Sequence, residues 1–336
     1  MMKEVVAGVD IGGTNTKIGF VDAEGVIHAE GRLSTPDYAF ADDFVAGLDE
    51  KLKEMLAGNH DLKLIGIGIG APNANYHKGT IELAPNLRWK GIVPLARITD
   101  RKTGLRTRIT NDANAAALGE MIFGAAKEVR DFIILTLGTG LGSGIVIDGE
   151  VVYGHTGFAG ELGHMTVVEG GRVCGCGRRG CLETYASATG LVRTVLHMLS
   201  DRREESPLRE LKNSEITSRR VAEAAAAGDI IAQKALDETA RMIALGIANS
   251  VIFSSPEVIY LFGGLAQAGD AIFTPVRKYA DELVQPVFRD TFRVEPSGLP
   301  EAQAAILGAS ALIWKEVKQD YRGRAYMQDH PDQEDE

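Results

Sequence analysis

Cysteine is scarce in this chain of 336 residues: there are 3, and all fall between Cys174 and Cys181. An odd count leaves one thiol over from any pairing, which speaks against a disulfide framework. Long apolar runs are missing too. No uninterrupted hydrophobic stretch approaches the ~18 residues of a membrane span, and the opening MMKEVVAGVD has neither the apolar core nor the small-residue cleavage site of a secretory leader. The chain therefore reads as cytoplasmic, with no membrane partner, in a compartment where reduced thiols are free to hold a metal. Positive charge is in deficit: 36 Lys plus Arg stand against 46 Asp plus Glu, and a net charge of -10 argues against a nucleic-acid partner. Aromatic residues are few at 6%, yet 45% hydrophobic content suffices for packed cores, and a chain this long is expected to form two domains.

The cysteines belong to a stretch from Glu161 to Glu183 that also holds His164. Thiolates and imidazole suit Zn2+, and His164, Cys174, Cys176 and Cys181 complete a tetrahedral shell with no position left for water, which reads as a structural site. Isolated cysteines are ordinary small hydrophobes. Here they sit in a Gly and Arg rich loop that follows no apolar periodicity, and the glycines let short connections turn towards one ion. Glu161 and Glu183 flank the ligands, so a rigid metal knot would pin both carboxylates as acceptors for the hydroxyls of a polyol. Taken singly, either also reads as a solvated acid in so acidic a chain.

The start of the chain reads as strand, glycine turn, strand, turn, strand. An apolar run over 5–9 ends at Asp10, and Gly12 and Gly13 give a tight turn whose amides can point at an anion, with Thr14 adding a hydroxyl. Asp10, at a strand end, is placed to hold Mg2+ directly or through water. Lys17 reads equally as a phosphate neighbour and as a solvated side chain. No helical pattern follows the turn, so a dinucleotide-binding fold, which needs strand then helix, is rejected. From Phe132 the same design returns with Gly138, Thr139 and Gly140 as its turn; Gly138 falls on Gly12, Asp148 on Asp22, and Thr136 on Asp10. Two related domains offering hairpins to one nucleotide would leave Mg2+ to the first and hydrogen bonds to the second. Two unrelated hairpins are the alternative, since strand-turn-strand is common.

Between the copies, the pattern predicts a helix over 44–56 capped by Asp42 or Asp43, a strand over 64–71, a polar loop through Asn75 and Asn86, a helix over 94–103 and a strand over 106–110. Loops leaving strand ends are where α/β sheets hold ligands, and Asn86 can both donate to and accept from a hydroxyl. Asn111 and Asp112 then open an alanine-rich helix. First-turn amides and the helix dipole favour an ionised Asp112, able to orient a hydroxyl and take its proton late in a phosphoryl transfer; a plain helix cap is the competing reading. Further helices start at Ser187 and behind Thr217 and Asp229, and a strand over 258–262 leads into Gly263 and Gly264, a third turn with room for adenine or ribose. A helix over 275–284, a strand over 292–296 and a last helix over 301–318 precede an acidic end, 326–336, that reads as disordered.

The run Glu161-Leu162-Gly163-His164 followed by Cys174-Gly175-Cys176-Gly177-Arg178-Arg179-Gly180-Cys181-Leu182-Glu183, with Asp10-Ile11-Gly12-Gly13-Thr14 and Asn111-Asp112, resembles the ROK family over residues 4–320. That family comprises bacterial sugar kinases and related repressors. The resemblance implies an α/β fold of duplicated ribonuclease H-like (actin-like ATPase) domains, two lobes around a cleft. Residues 1–110 plus 303–325 would form a small N-terminal lobe, and 111–302 a large lobe with the zinc loop, 164–181. It implies ATP-dependent phosphorylation of the C6 hydroxyl of a hexose, glucose first, with N-acetylhexosamines, mannose and fructose as other acceptors. Asp112 would be the general base, and Asn86, Asn111, Glu161, His164 and Glu183 would bind the sugar with it. Asp10, Gly12, Gly13, Thr14, Lys17, Gly138, Thr139, Gly140, Gly263 and Gly264 would hold ATP and Mg2+. His164 would ligate structural zinc through one ring nitrogen and face the sugar through the other. Asn73 departs from the glycine that many relatives carry there, which bears on sugar choice. The repressors resemble this chain plus an N-terminal helix-turn-helix domain, and no basic recognition helix precedes the first strand, so the enzyme is preferred over a repressor or a silent sugar sensor. A homodimer or homotetramer is expected.

Overall fold

In the computed structural model, which describes residues 2–329 and the side chains of residues 2–319, the chain opens with an antiparallel meander. Its strands are β1 (Lys3–Ile11), β2 (Asn15–Val21) and β3 (Ile27–Ser34). β1 lies in the middle of its sheet, and its run from Val5 to Val9 is apolar because both faces are covered. Helix α1 (Ala41–Ala57) buries one stripe of Phe44, Val45, Leu48, Leu52 and Met55. The expected Asp42 or Asp43 cap is corrected: Phe40 occupies that position without a side-chain bond, and the two acids lie in the first turn, where the dipole favours them.

β4 (Leu62–Gly70) runs parallel to β1. Next come three short strands unforeseen in the sequence, β5 (Ala74–Asn75), β6 (Thr80–Glu82) and β7 (Ile92–Val93), paired antiparallel in a small sheet of their own. Helix α2 (Leu95–Thr103) returns the chain to β8 (Thr107–Thr110), parallel to β4, and α3 (Asp112–Ile122) follows.

The second meander is β9 (Phe132–Leu137), β10 (Leu141–Ile147) and β11 (Glu150–Val151). After the cysteine loop come α4 (Ala188–Asp201), α5 (Ser218–Ala226) and α6 (Ile230–Ser254), capped by the hydroxyls of Ser187 and Thr217 and the carboxylate of Asp229 as the sequence indicates. β12 (Val258–Phe262), α7 (Asp270–Leu283), β13 (Arg293–Pro296) and α8 (Ala304–Asp329) complete the chain. Helix α7 begins before Pro275, and α8 continues past its expected end through residues 326–329; the remainder of the expected acidic tail lies outside the described residues.

The two large sheets have orders β3-β2-β1-β4-β8 and β11-β10-β9-β12-β13, with antiparallel pairings in the meander and parallel pairings beyond it in both. The repeat seen in the two glycine hairpins therefore extends to whole sheets. By its contacts the chain divides into one unit of Met1–Lys127, Tyr153–Gly157 and Gly298–Glu336 and a second of Glu128–Val152 and Phe158–Ser297. This division differs from the boundary expected after residue 110. Helix α3 stays with the first unit because a Cβ on Gly119 would stand 2.9 Å from Gly308 Cα, so α3 and α8 pack backbone against backbone. Each unit has its own apolar core, around Phe20, Phe44 and Ile69 in the first and Leu191, Ile243 and Val276 in the second. Among the described residues no helix is long and apolar enough to cross a membrane.

Candidate active site and metal centre

The parallel strands of the first unit end together. Asp10 on β1 is in register with Gly70 on β4, and Gly70 with Thr110 on β8, which forms a row at the carboxyl edge where open α/β sheets hold ligands. Lys17 stands opposite Asp10 in the β1–β2 hairpin. Burial pushes the Asp10 carboxyl up to about 6; Lys17 opposes that rise and the charge of Asp112 adds to it. In the turn between β1 and β2, Gly12 N–H donates to Asn15 O at 3.0 Å. A Cβ on Gly13 would stand 2.9 Å from the main-chain oxygen of Asn86, so this glycine is what lets the turn and the Asn86 loop meet. Thr14 and Asn86 are exposed.

Beyond Thr110 the chain turns into α3, and Asn111 is its cap: Oδ1 accepts the Asn114 N–H at 2.7 Å. That bond engages the Asn111 side-chain oxygen. Asp112 accepts the Ala113 N–H at 2.9 Å. The bond and the helix terminus favour the carboxylate, as expected, yet burial outweighs them and raises its pKa. Asp112 is exposed, yet protein atoms crowd its carboxyl enough for the net shift to be upward.

In the second unit the turn at 138–140 closes with Gly138 N–H on Gly140 O at 3.1 Å, and the start of α4 is tied to it: Ala188 N–H donates to Gly138 O at 2.9 Å and Thr189 Oγ1 to Thr139 O. Gly263 has a φ of 100°, and a Cβ there would stand 2.9 Å from Leu137 O, at the end of β9. The third glycine turn thus lies directly on the second, while Gly264 borders open space.

The cysteine loop starts from a tight turn, Leu162–His164, laid on β10: a Cβ on Gly163 would fall 2.0 Å from Leu141 O. Residues 172–180 then form a hairpin in which Cys174 N–H donates to Arg178 O at 2.9 Å and Gly180 N–H to Arg172 O at 2.9 Å. One donor atom from each of His164, Cys174, Cys176 and Cys181 lies within 4.8 Å of the others. Cys174 Sγ is 3.6 Å from His164 Nδ1, and Cys176 Sγ is 3.7 Å from Cys181 Sγ. Metal–sulfur bonds of about 2.3 Å and metal–nitrogen bonds of about 2.0 Å give tetrahedron edges of roughly 3.5 to 3.8 Å, so these two pairs already stand at the spacing of a zinc-type shell. The sulfurs are far beyond disulfide length. Burial and the adjoining Glu183 carboxylate push the Cys174 thiol up, burial raises Cys181, and the Arg178 amide lowers Cys176. A divalent cation among such donors displaces their protons.

The same loop gathers both acids. Glu183 Oε1 is 3.7 Å from His164 Nδ1, and Glu161 Oε2 is 4.0 Å from Nε2, so the imidazole has one nitrogen among the sulfurs and the other towards Glu161. Glu183 also lies against the second glycine turn, with Oε2 2.6 Å from where a Cβ on Gly140 would stand. Two anchors escaped the sequence reading. Arg172 donates to Thr184 O at 2.8 Å and to Thr194 Oγ1 at 2.9 Å, stacks on Tyr185 at 4.5 Å, and fastens the hairpin to α4. Gly246 on α6 gives Leu182 its seat, with a Cβ there 2.5 Å from Leu182 Cδ2. A lone Arg among loop arginines and a Gly in a long helix were the only signals of either.

A protein-family model described as the ROK family matches residues 6–316. A glucokinase of Halalkalibacterium halodurans is 36% identical over 313 residues, covering 91% of this chain and 94% of the relative. A xylose repressor of Caldicellulosiruptor bescii is 36% identical over 251 residues, 74% of this chain and 62% of the repressor. Among solved structures, a ROK family glucokinase from Streptomyces griseus in complex with glucose and AMPPNP superposes with a TM-score of 0.76 at 33% identity, covering 92% of this chain and 98% of that one. With the duplicated sheets, the three glycine turns and the His and Cys knot all inside the matched span, the chain belongs to the ROK family.

Proposed function

We propose that this protein is a glucokinase, transferring the γ-phosphoryl group of ATP to the C6 hydroxyl of glucose. The observation that carries the reading is Asp112 at the start of α3, an acid beside Asp10 at the carboxyl edge of the first sheet, in a chain similar to glucokinases over nearly its whole length. The S. griseus relative was solved with glucose and an ATP analogue, which supports the same pair of ligands here.

Phosphoryl transfer asks the protein mainly for positioning and charge. Asp112 takes the C6 proton as the bond to phosphorus forms, and its raised pKa brings it nearer the working pH of a general base. Asn86, Asn111, Glu161, His164 and Glu183 hold the other hydroxyls; the acids accept, and the Asn111 NH2 donates. The turns at 12–14, 138–140 and 263–264 present amides and open backbone to the nucleotide, with Lys17 opposite Asp10. Asp10 is the residue for Mg2+, which when bound offsets the charge of the phosphates. His164, Cys174, Cys176 and Cys181 hold zinc as a structural clamp, and the chain uses it to fix Glu161 and Glu183.

Asp112→Asn tests the assignment. Hexose-dependent ADP release should fall by about three orders of magnitude or more, with sugar affinity kept within about ten-fold. Strong residual turnover would remove Asp112 from the base role. The xylose repressor match carries a second reading, a sugar-responsive regulator; ATP-dependent formation of hexose 6-phosphate separates the two. Running the assay across glucose, mannose, fructose and N-acetylhexosamines fixes the acceptor.

A further inference from the structure

Glu120 has no part in the chemistry above, yet its carboxylate sits on α3 without any exposed surface. A buried acid is unfavourable unless hydrogen bonds hold it, so its partners matter. Its Oε1 accepts the N–H of Ala125 at 2.7 Å and the N–H of Gly298 at 2.7 Å. These amides are remote in sequence and share one property. Each lies beside a point where the chain passes from one unit to the other, at Lys127/Glu128 and at Ser297/Gly298.

The two linkers also touch. A Cβ on Gly298 would stand 2.6 Å from Ala125 N, and one on Gly124 2.6 Å from Glu120 Oε1, so both glycines let backbone close around the carboxylate. Ala126 is fully buried, and its N–H donates to the Glu120 main-chain oxygen at 3.2 Å. Beneath them, the close packing of Gly119 on Gly308 ties α3 to α8, so the carboxylate rides on a rigid base. The remaining crossings flank residues 153–157, which are held differently. There Asn75 Nδ2 donates to Thr156 O at 2.8 Å, and Tyr76 stacks on Tyr153 with centroids 4.1 Å apart.

We propose that Glu120 is a positioning residue for the transfer reaction, one carboxylate that clasps both linkers at a common point. The two stretches of chain that leave the unit bearing Asp112, near residues 127 and 297, then leave it from one fixed point. The proposal rests on the hexose kinase reading.

The test compares E120Q, E120D and E120A with the wild type in hexose-dependent ADP release, well below each melting temperature. Glutamine keeps an acceptor oxygen at the same reach, whereas aspartate is a methylene short of both amides. The clasp requires kcat of E120Q within about three-fold of wild type and E120D and E120A lower by about ten-fold or more, because a misplacement of about 1 Å is enough for such a loss. Variants that melt earlier but turn over normally per folded molecule would reduce Glu120 to a structural acid and overturn the proposal. Should E120A fail to fold, equal kcat in E120D and E120Q overturns it. A wild type without any hexose-dependent ADP release fails the kinase reading first, whereas an active wild type with flat variants fails the clasp alone.

Discussion

Asp10 sits near the end of β1 with Lys17 opposite it and Asp112 within electrostatic reach, and burial raises its pKa from 3.8 to about 6. Two consequences of opposite sign follow. A carboxyl whose folded pKa lies above its unfolded value keeps a proton that the unfolded chain has lost. Between about 4 and about 6 the folded state therefore binds more protons, and stability falls as the pH rises through that window. Asp10→Asn should flatten this part of the melting-temperature profile, and a profile identical to wild type would show that Asp10 titrates normally. For function the ionised form is the useful one, because it can hold a cation. Activity and Mg2+-nucleotide affinity should fall as the pH drops through about 6, and excess Mg2+ should move that acid limb lower, since cation and proton compete for one carboxylate. An acid limb indifferent to Mg2+ would belong to Asp112 instead. The positions of both acids were legible in the sequence, Asp10 at the end of an apolar run and Asp112 at the opening of an alanine-rich helix; their protonation was not, because desolvation depends on atoms brought in from elsewhere in the fold.

The hairpin over 172–180 is the element on which the proposed metal centre depends, and its geometry turns on one residue. Gly180 has a φ of 77°, and a Cβ there would fall 1.7 Å from Val168 O, so an L side chain is excluded by conformation and by space together. Gly180→Ala should open the hairpin next to Cys181, leaving less than about half the metal bound and the sugar KM raised by about ten-fold or more, in the range seen when support around a metal is lost. Elemental analysis and the ADP-release assay read both quantities, and full metal content with unchanged KM would show that the hairpin tolerates the change. The donor set itself was readable from residue types alone. So were the caps at Ser187, Thr217 and Asp229, since a hydroxyl or carboxylate before an apolar pattern acts locally. Strands β5 to β7 were hidden because elements of two or three residues carry no periodicity. The start of α7 was misplaced because Pro275, a common first residue of helices, here lies inside one that begins at Asp270. Glu120 was invisible as a special acid, since one of its two partners, Gly298, is remote in sequence and is brought to it only by the fold.

Duplication at the level of the whole chain gives each sheet its own core, and the His and Cys cluster belongs to only one of them. Leu182, next to the ligand Cys181, is packed in the core of the second unit against Gly246, so loss of metal should loosen that core. The first unit holds none of the four ligand residues. It does hold both of the 2 tryptophans: Trp89 is 5% exposed and Trp314 4%, each with its indole N–H on a backbone oxygen. Tryptophan fluorescence therefore reports the first unit, whereas far-UV circular dichroism reports the helices of both. Chelator treatment should lower the circular dichroism midpoint by about 5 °C or more while the fluorescence midpoint moves by less than about 2 °C, because a ligand stabilises only the unit that binds it. Equal shifts in the two signals would mean that the chain unfolds as one cooperative block, and that the cores are energetically joined despite the division of their contacts.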